Sequence, residues 1–497
     1  MKNVNKNTPP HNKFWCDLYH LTMAQAMFLE GTHNDPETQE MFIRKNPFKG
    51  EFTVVAGLAP VIEWIAQYGF SDDQLAYLAS LKNTNGTPRF KPEFLELLKN
   101  EPLQITIDAM PEGEIVFPNE PIVRISGPAW QVNLVESAFL QSINSASLIA
   151  TKAARIKGAD EGKIFAEFGL RRAQNPMMAS RSAIIGGFNS TSNVDAGFQY
   201  GIPVSGTHAH SFIMRKKTEQ AAFESWLKHN PDNAMVLIDT YDTINGIKLA
   251  IEASKKTGVP LMGVRLDSGD LAALSIEVRQ LLDAAGMKTT KIVASNDLNE
   301  YKITELKKRG AKIDFYGVGT DVATGGDQPA LGGVYKLKKT QDGKVIKCSE
   351  DPIKTTIPGA TETIRILSET GNFKRDVITT LGFVAANAGR LSKDMNGSNM
   401  DGSFAWPYTK GERFYKPMRR MVSRGKVNPT ATKRSVMEIA ADAKANLAKL
   451  DASHKRITVP AKYPYEGEYP TAYPVDVEIG LFKERRRMIE QAKQKQK

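Results

Sequence analysis

The chain is poor in cysteine, lacks long apolar runs and carries little net charge over most of its length. Cys16 and Cys348 are its only cysteines in 497 residues, so no disulfide framework organises the fold. A helical membrane span needs about eighteen consecutive apolar residues. No such run occurs, and the stretch "FTVVAGLAPVIEWIA" is broken by Pro60 and Glu63. The polar start "MKNVNKNTPPHNK" has no apolar segment of the secretory type. A cytoplasmic address with no membrane contact is the expectation. His208 and His210 have no third His or Cys nearby, which excludes a structural zinc site. No Walker A run and no G-x-S-x-G elbow are present.

The composition is that of an ordinary globular protein, with 41% hydrophobic and 24% charged residues. The net charge of +11 is concentrated near the end: residues 410–434 carry +8 and residues 483–497 carry +5, so the remainder is −2. A solvated face and a frayed tail account for this distribution; attraction of polyphosphorylated or nucleic-acid anions is the other reading.

The middle of the chain repeats a pattern. Short runs rich in Val, Ile and Phe recur as "IFAEFG" (164–169), "PVSGTHAH" (203–210), "MVLIDT" (235–240), "LMGVRLD" (261–267), "KIVASND" (291–297) and "DFYGVGT" (314–320). Between them, "TINGIKLAIEASKKTG", "DLAALSIEVRQLLDAAG" and "NEYKITELKKRG" space apolar residues as amphipathic helices do, and each ends in Gly. Strand–helix alternation predicts a parallel sheet. Polar residues crowd the ends of the apolar runs: His208 and His210, Asp239, Arg265 and Asp267, then Ser295, Asn296 and Asp297, then Gly317, Gly319 and Thr320. In a (β/α) barrel that is where the active site lies.

The string "GTHAHSFIMR" places His208 and His210 on one face if the segment is a strand. Spacing alone leaves a metal site, a catalytic base, a phosphate carrier and a buried strand end all open. "YGVGT" offers a phosphate cradle from Gly317, Gly319 and Thr320, and "QPALGGVYK" offers a second from Gly332, Gly333 and Lys336. "RLDSGD" sets Arg265 beside Asp267, Gly269 and Asp270, which suits a phosphate with its magnesium. These features describe a site for a multiply phosphorylated sugar.

The strings "DLYHLTMAQAMF", "FIRKNPFKGEFTVVAGL", "FGLRRAQNP", "GGFNSTSNVDAG", "GIPVSGTHAHSF", "LIDTYDT", "RLDSGDLA", "SNDLNE", "YGVGT" and "QPALGGVYKL" together resemble nicotinate phosphoribosyltransferases, in order from about residue 16 to about residue 360. The resemblance implies an α/β fold: an irregular (β/α) barrel of mostly parallel strands at 146–360, an N-terminal α+β domain at 1–145 and a C-terminal extension at 361–497. It implies a homodimer with shared active sites, and the condensation of nicotinate with 5-phosphoribosyl 1-diphosphate to nicotinate mononucleotide and diphosphate, coupled to ATP hydrolysis with magnesium. His210 matches the histidine that the family phosphorylates, and the motif leaves His208 variable. Asp242 is the first choice to fix the His210 tautomer and Asp239 the second. For such a transfer Asp267 and Asp270 suit the ribose hydroxyls and magnesium, and Arg265 the phosphates or nicotinate. Phe168 and Arg171, with Arg172 as alternate, supply the aromatic face and the cation that a flat aromatic acid needs. Tyr19 completes that pocket from the partner subunit; Thr207 matches a nicotinate contact and Thr320 a phosphoribosyl contact. Nicotinamide-using relatives carry an acid where this chain has Ser192, so the neutral serine implies preference for nicotinate. A nicotinamide phosphoribosyltransferase of the same fold is the nearest alternative. A basic nucleic-acid binder is the alternative from another class, against which the lack of RNP, KH or zinc-finger patterns counts. The basic residues 410–434 match no motif.

Overall fold

Strands form where branched and aromatic side chains are buried on both faces, and this chain has a sheet of that kind at its centre. The computed structural model describes residues 14–351, 354–383, 396–398, 405–407, 413–457 and 473–495; the start at 1–13, residues 410–412 of the basic segment and the last two residues of the tail lie outside the described residues. Six parallel strands run in the order Ser190–Thr191, Ile164–Glu167, Phe315–Val318, Lys291–Ala294, Gly263–Leu266, Met235–Leu237. The three amphipathic segments predicted between them are the helices Thr243–Thr257, Leu271–Ala284 and Glu300–Lys308. The first has a left-handed Gly258 at its C-cap, where a side chain would be strained.

The segment predicted as a strand at 203–210 is not one. It makes a single parallel bridge, Thr191 to Val204. It then crosses to the other edge strand, where the Leu237 N–H donates to His208 Nε2 at 3.3 Å. An irregular segment thus spans the gap between the two sheet edges. Its alternation of small and polar residues supplies too little apolar surface to hold a full ladder.

A second, seven-stranded sheet is antiparallel among its neighbours. It combines Pro36–Ile43, Thr106–Ala109 and Val123–Pro128 with Gly333–Thr340, Gly343–Lys344, Arg419–Ser423 and Lys426–Val427. The N-terminal domain therefore takes strands from beyond 330 and from the basic segment, and residue 145 lies inside the helix Glu136–Ala159. That helix packs against both regions through small residues. A Cβ on Gly186 would meet the Ala150 carbonyl at 2.3 Å, and one on Gly57 the Ser142 carbonyl at 2.4 Å. A third, mixed sheet includes Thr361–Leu367, Phe373–Thr380 and Val475–Glu478. Among the described residues no helix is long and apolar enough to cross a membrane.

The third sheet is tied to the N-terminal domain by a buried cation. Arg365 is fully enclosed. It donates to Asp376 through Nε and Nη2 at 2.6–3.1 Å, to Glu114 at 2.6 Å and to the Ile115 carbonyl at 2.7 Å. Burial and the neighbouring Asp376 push the Glu120 carboxyl well above its ordinary range. A buried charge that loses its partner costs about 3–5 kcal/mol. Arg365→Met is therefore expected to lower unfolding free energy by about that amount, read from denaturant titration of the full chain. A loss within the scatter of surface substitutions, about 0.5 kcal/mol, would show that the tie is not structural.

Candidate active site

The strand ends meet around one guanidinium. Arg265, on strand Gly263–Leu266, donates from Nε to Ser295 Oγ at 2.9 Å and from Nη2 to Asp267 Oδ1 at 3.0 Å. Its guanidinium carbon lies 5.5 Å from the centre of the Phe168 ring. Phe168 can occupy this place because residue 317 is glycine: a Cβ there would come within 2.5 Å of the ring. Ser295 also donates to Asp267. The next two residues hold left-handed backbones, Asn296 at φ 103° and Asp297 at φ 45°, a strain of the kind that collects at functional strand ends.

His210 opens the short helix His210–Met214. Its Nδ1 is 3.1 Å from Thr240 Oγ1 and its Nε2 is 3.8 Å from Asp267 Oδ2, with 39% of the side chain exposed. Thr240, which the sequence reading passed over, stands where Asp242 was expected. Asp242 is the N-cap of Thr243–Thr257 and accepts from the Asn245 N–H at 2.7 Å; a helix start leaves free N–H groups, and the first acid before it takes them. Asp239, the second choice, accepts through Oδ2 from the Asp267 N–H and from Ser268 Oγ, both at 2.7 Å. Its Oδ1 is buried without a hydrogen-bond partner among the described residues. Glu219 faces the same region: burial, then Asp239 and Asp242, push its carboxyl up to about 7.

His208 has a different environment. It is 7% exposed. It accepts from Leu237 at Nε2, so Nδ1 carries the proton toward the Ala209 carbonyl at 3.3 Å. Its ring lies among Phe212 and Trp226. Burial, with smaller contributions from Arg265 and His210, pushes it down to about 4. Of the two histidines, one is a satisfied structural group and the other faces solvent beside carboxylates.

The remaining predicted residues fall in three places. Ser192, directly after strand Ser190–Thr191, and Thr320, after strand Phe315–Val318, are half-buried at strand ends; Thr207 is half-buried in the irregular segment 203–210, and Arg171 and Arg172 are exposed in the turn after Phe168. Arg171 has no ion-pair partner among the described residues. Gly319 precedes the short helix Thr320–Thr324, and its Cβ would press on the Phe168 carbonyl. Asp270 turns away: it caps Leu271–Ala284 and pairs with Arg309 at 2.6 Å, which holds its carboxyl below its ordinary range. Gly269 sits beside it with φ 74°. A helix start and an arginine thus take the carboxylate that the spacing in "RLDSGD" offered to a metal.

Tyr19 and Lys336 belong to a separate group. Tyr19, on helix Leu18–Glu30, is 48% exposed and lies tilted by 43° against the His20 ring, whose Nε2 is 3.4 Å from Glu136. Lys336, on strand Gly333–Thr340, is pushed down by burial and feels Glu136, Lys347 and Arg44. Gly333 is required by the Asn144 side chain, 2.2 Å from where its Cβ would lie; nothing crowds Gly332.

Two buried networks escaped the sequence reading. Glu167 accepts from Ser180 at 2.8 Å, Thr191 at 2.6 Å and the Gly169 N–H, and so fixes the turn that carries Phe168. An acid inside the apolar run "IFAEFG" was the available signal. Under helix Thr320–Thr324, Lys152 pairs with Glu300 at 2.9 Å and approaches Asp321 at 3.8 Å, and Arg155 pairs with Glu300 at 3.1 Å.

A model of the nicotinate phosphoribosyltransferase N-terminal domain matches residues 14–144, and a model of the nicotinate phosphoribosyltransferase family matches residues 164–375. The nicotinate phosphoribosyltransferase of Bacillus subtilis is 42% identical over 366 residues, 72% of this chain and 73% of that protein. The human one is 31% identical over 510 residues, covering 90% and 93%. Among solved structures, human nicotinic acid phosphoribosyltransferase superposes with a TM-score of 0.77 at 26% identity over 95% of this chain and 99% of the other. A nicotinate-nucleotide pyrophosphorylase from Pyrococcus furiosus shares the fold, with a TM-score of 0.68 at 21% identity over 90% of this chain and 99% of the other.

The His208 environment sets a pH dependence. Its folded value lies below its unfolded one, so between about 6.5 and about 4 the unfolded chain binds a proton that the folded chain does not. Stability from this group is present at neutral pH and lost as pH falls through that window. Between pH 7.5 and pH 5 the loss is expected to be about 2 kcal/mol, and His208→Gln is expected to remove it. Denaturant titrations at the two pH values check this, and an unchanged pH dependence in the variant would contradict it.

Proposed function

The chain belongs to the nicotinate phosphoribosyltransferase family and is an enzyme of NAD biosynthesis of that type, and from this we propose that the barrel mouth joins nicotinate to 5-phosphoribosyl 1-diphosphate, with ATP hydrolysis coupled through His210. The observation that carries the reading is the cluster in which Arg265 faces the Phe168 ring, holds Asp267, and Asp267 in turn lies beside His210.

Glycosyl transfer forms a bond from the pyridine nitrogen to the anomeric carbon as the bond to diphosphate breaks and its electron pair leaves with the diphosphate. The site must bear positive charge on the sugar and negative charge on the leaving group. Asp267, with 32% of its side chain exposed, faces the first need. The close-approach backbone at Gly317–Thr320 faces the second. Phe168 supplies the face for the pyridine ring, and Arg171 a free cation for the carboxylate. Asp267 and the partner-free Oδ1 of Asp239 would hold a magnesium ion, whereas Asp270, already taken by Arg309, would not. When bound it offsets the charge of the departing diphosphate.

At His210, Thr240 holds Nδ1, which leaves the Nε2 lone pair for the terminal phosphorus of ATP. A nitrogen–phosphorus bond forms as the bond to ADP breaks, and water later takes the phosphoryl group. A homodimer with shared sites accounts for the separate group around Glu136: a partner subunit would bring Tyr19 and Lys336 to the barrel mouth. The exposed side chains of Val194, Phe198, Met214 and Tyr241 give such a partner apolar surface.

Product formation from nicotinate and phosphoribosyl diphosphate, with and without ATP, tests the reading. Asp267→Asn is expected to slow both product formation and phosphorylation of His210 by about 10–100-fold, while Asp242→Asn stays within about threefold. A larger loss from Asp242→Asn, measured by rapid-quench assay of the acid-labile phosphate, would return the role to Asp242.

Ser192 sets the second test. It is neutral and follows the strand end next to Phe168, so the acid ligand meets no repulsion there. Ser192→Asp is expected to shift the ratio of kcat/KM values from nicotinate toward nicotinamide by about tenfold or more, mainly by loss of the acid. Kinetics with both bases check this. An unchanged ratio removes Ser192 from the pocket.

A further inference from the structure

A cavity of about 790 Å3 lies away from the barrel mouth, between helix Leu58–Ala66, the turn at 111–114, strand Arg419–Ser423 and helix Val436–Lys449. It is where part of the basic segment ends up. Most ionic groups on its wall are already neutralised. Glu112 is held by Arg181 at 2.7 and 2.8 Å, and Glu114 by Arg365. Arg420 pairs with Asp108, and Arg434 with Asp442. Two exposed cations on the wall, Arg419 and Lys449, have no carboxylate partner among the described residues. Opposite chemistry is also present: Leu58, Pro111, Met421 and Ile439 give the cavity an apolar side. Lys449 lies over the Phe373 ring at 5.9 Å, so both cations lack a carboxylate but, among the described residues, only Arg419 lacks any charge contact; an apolar wall with two such cations suits an amphiphilic anion. The volume falls in the range of about 300–1,000 Å3 that small-molecule sites occupy.

The cavity is also wired to the reaction site. Glu112 grips Arg181 on helix Pro176–Ile185. The preceding residue of that helix, Ser180, donates to Glu167, which carries Phe168 on the next position. Helix Val436–Lys449, which forms another side of the cavity, packs on the same helix. A ligand that pulls on Glu112 or on that helix acts on the turn that presents Phe168.

We propose that this cavity is an effector site for an organic phosphate of mononucleotide size, its phosphate held by Arg419 and Lys449 and its base against the apolar wall, and that its occupancy changes the activity of the barrel mouth. Adenosine monophosphate is the probe. Calorimetry is run on the full chain, on the double variant Arg419→Gln/Lys449→Gln, and on Arg265→Gln, which alters the barrel mouth instead. Both wall residues are exposed, so the double variant is expected to melt with the wild type. The probe should bind the wild type, bind Arg265→Gln within about twofold, and bind the double variant about tenfold or more weakly. Product formation at low nicotinate should change by about twofold or more on adding the probe to the wild type and not to the double variant. No binding to the wild type, equal binding to the double variant, loss of binding in Arg265→Gln alone, or a rate effect that survives in the double variant would each overturn the proposal.

Discussion

Arg265 is the constraint on which the barrel mouth depends. One guanidinium joins three strand ends: its own, the one that leads into Ser295, and the one that leads into Phe168. A planar cation with fixed donor directions can do this, whereas a lysine would supply charge without the two directed contacts. Because Arg265 holds Oδ1 of Asp267, the other oxygen points toward His210. The positions of the aromatic face, the carboxylate and the histidine are therefore set together.

Behind this layer lies a set of buried carboxylates whose partners are structural. Glu167 fixes the turn of Phe168, Glu300 joins two cations under the helix at Thr320, Glu112 holds Arg181, and Asp376 holds Arg365. Burying such charges is costly unless every lone pair is met, and here most are met by directed donors. The exceptions are informative. Oxygens of Asp239, Glu219 and Glu120 are among those buried without a hydrogen-bond partner among the described residues, and of these Asp239 adjoins the mouth. Polar atoms left open there suit a site that binds charged ligands.

Much of this was legible in the sequence, for a physical reason. Parallel strands buried on both faces read as short apolar runs, and their polar ends stood out against them; that pattern gave the sheet, its three intervening helices and the group Phe168, His210, Arg265, Asp267 and Ser295. The acids that the structure engages elsewhere share a cause. Asp242 and Asp270 sit at the first residue before a helix, where a carboxylate is claimed by free N–H groups, and spacing does not reveal that competition. Lys336 looked like part of a phosphate cradle beside the barrel, but its strand joins the antiparallel sheet, a long-range pairing that no local pattern encodes. Segment 203–210 has the composition of a strand end without the burial of a strand. Thr240 was hidden because a threonine within "DTYDT" attracts less attention than the two acids that flank it. The basic segment, which matched no motif, is partly built into sheet and ion pairs.

We propose that His210, positioned by Thr240 and Asp267, is the reacting group of the ATP-coupled step. The direct measurement is to incubate the enzyme with ATP labelled at its terminal phosphate and map the acid-labile label by mass spectrometry, with phosphorus NMR to identify the ring nitrogen. The account predicts label on Nε2 of His210 and none on His208. Label on His208, on Nδ1 of His210, or on no histidine would contradict it.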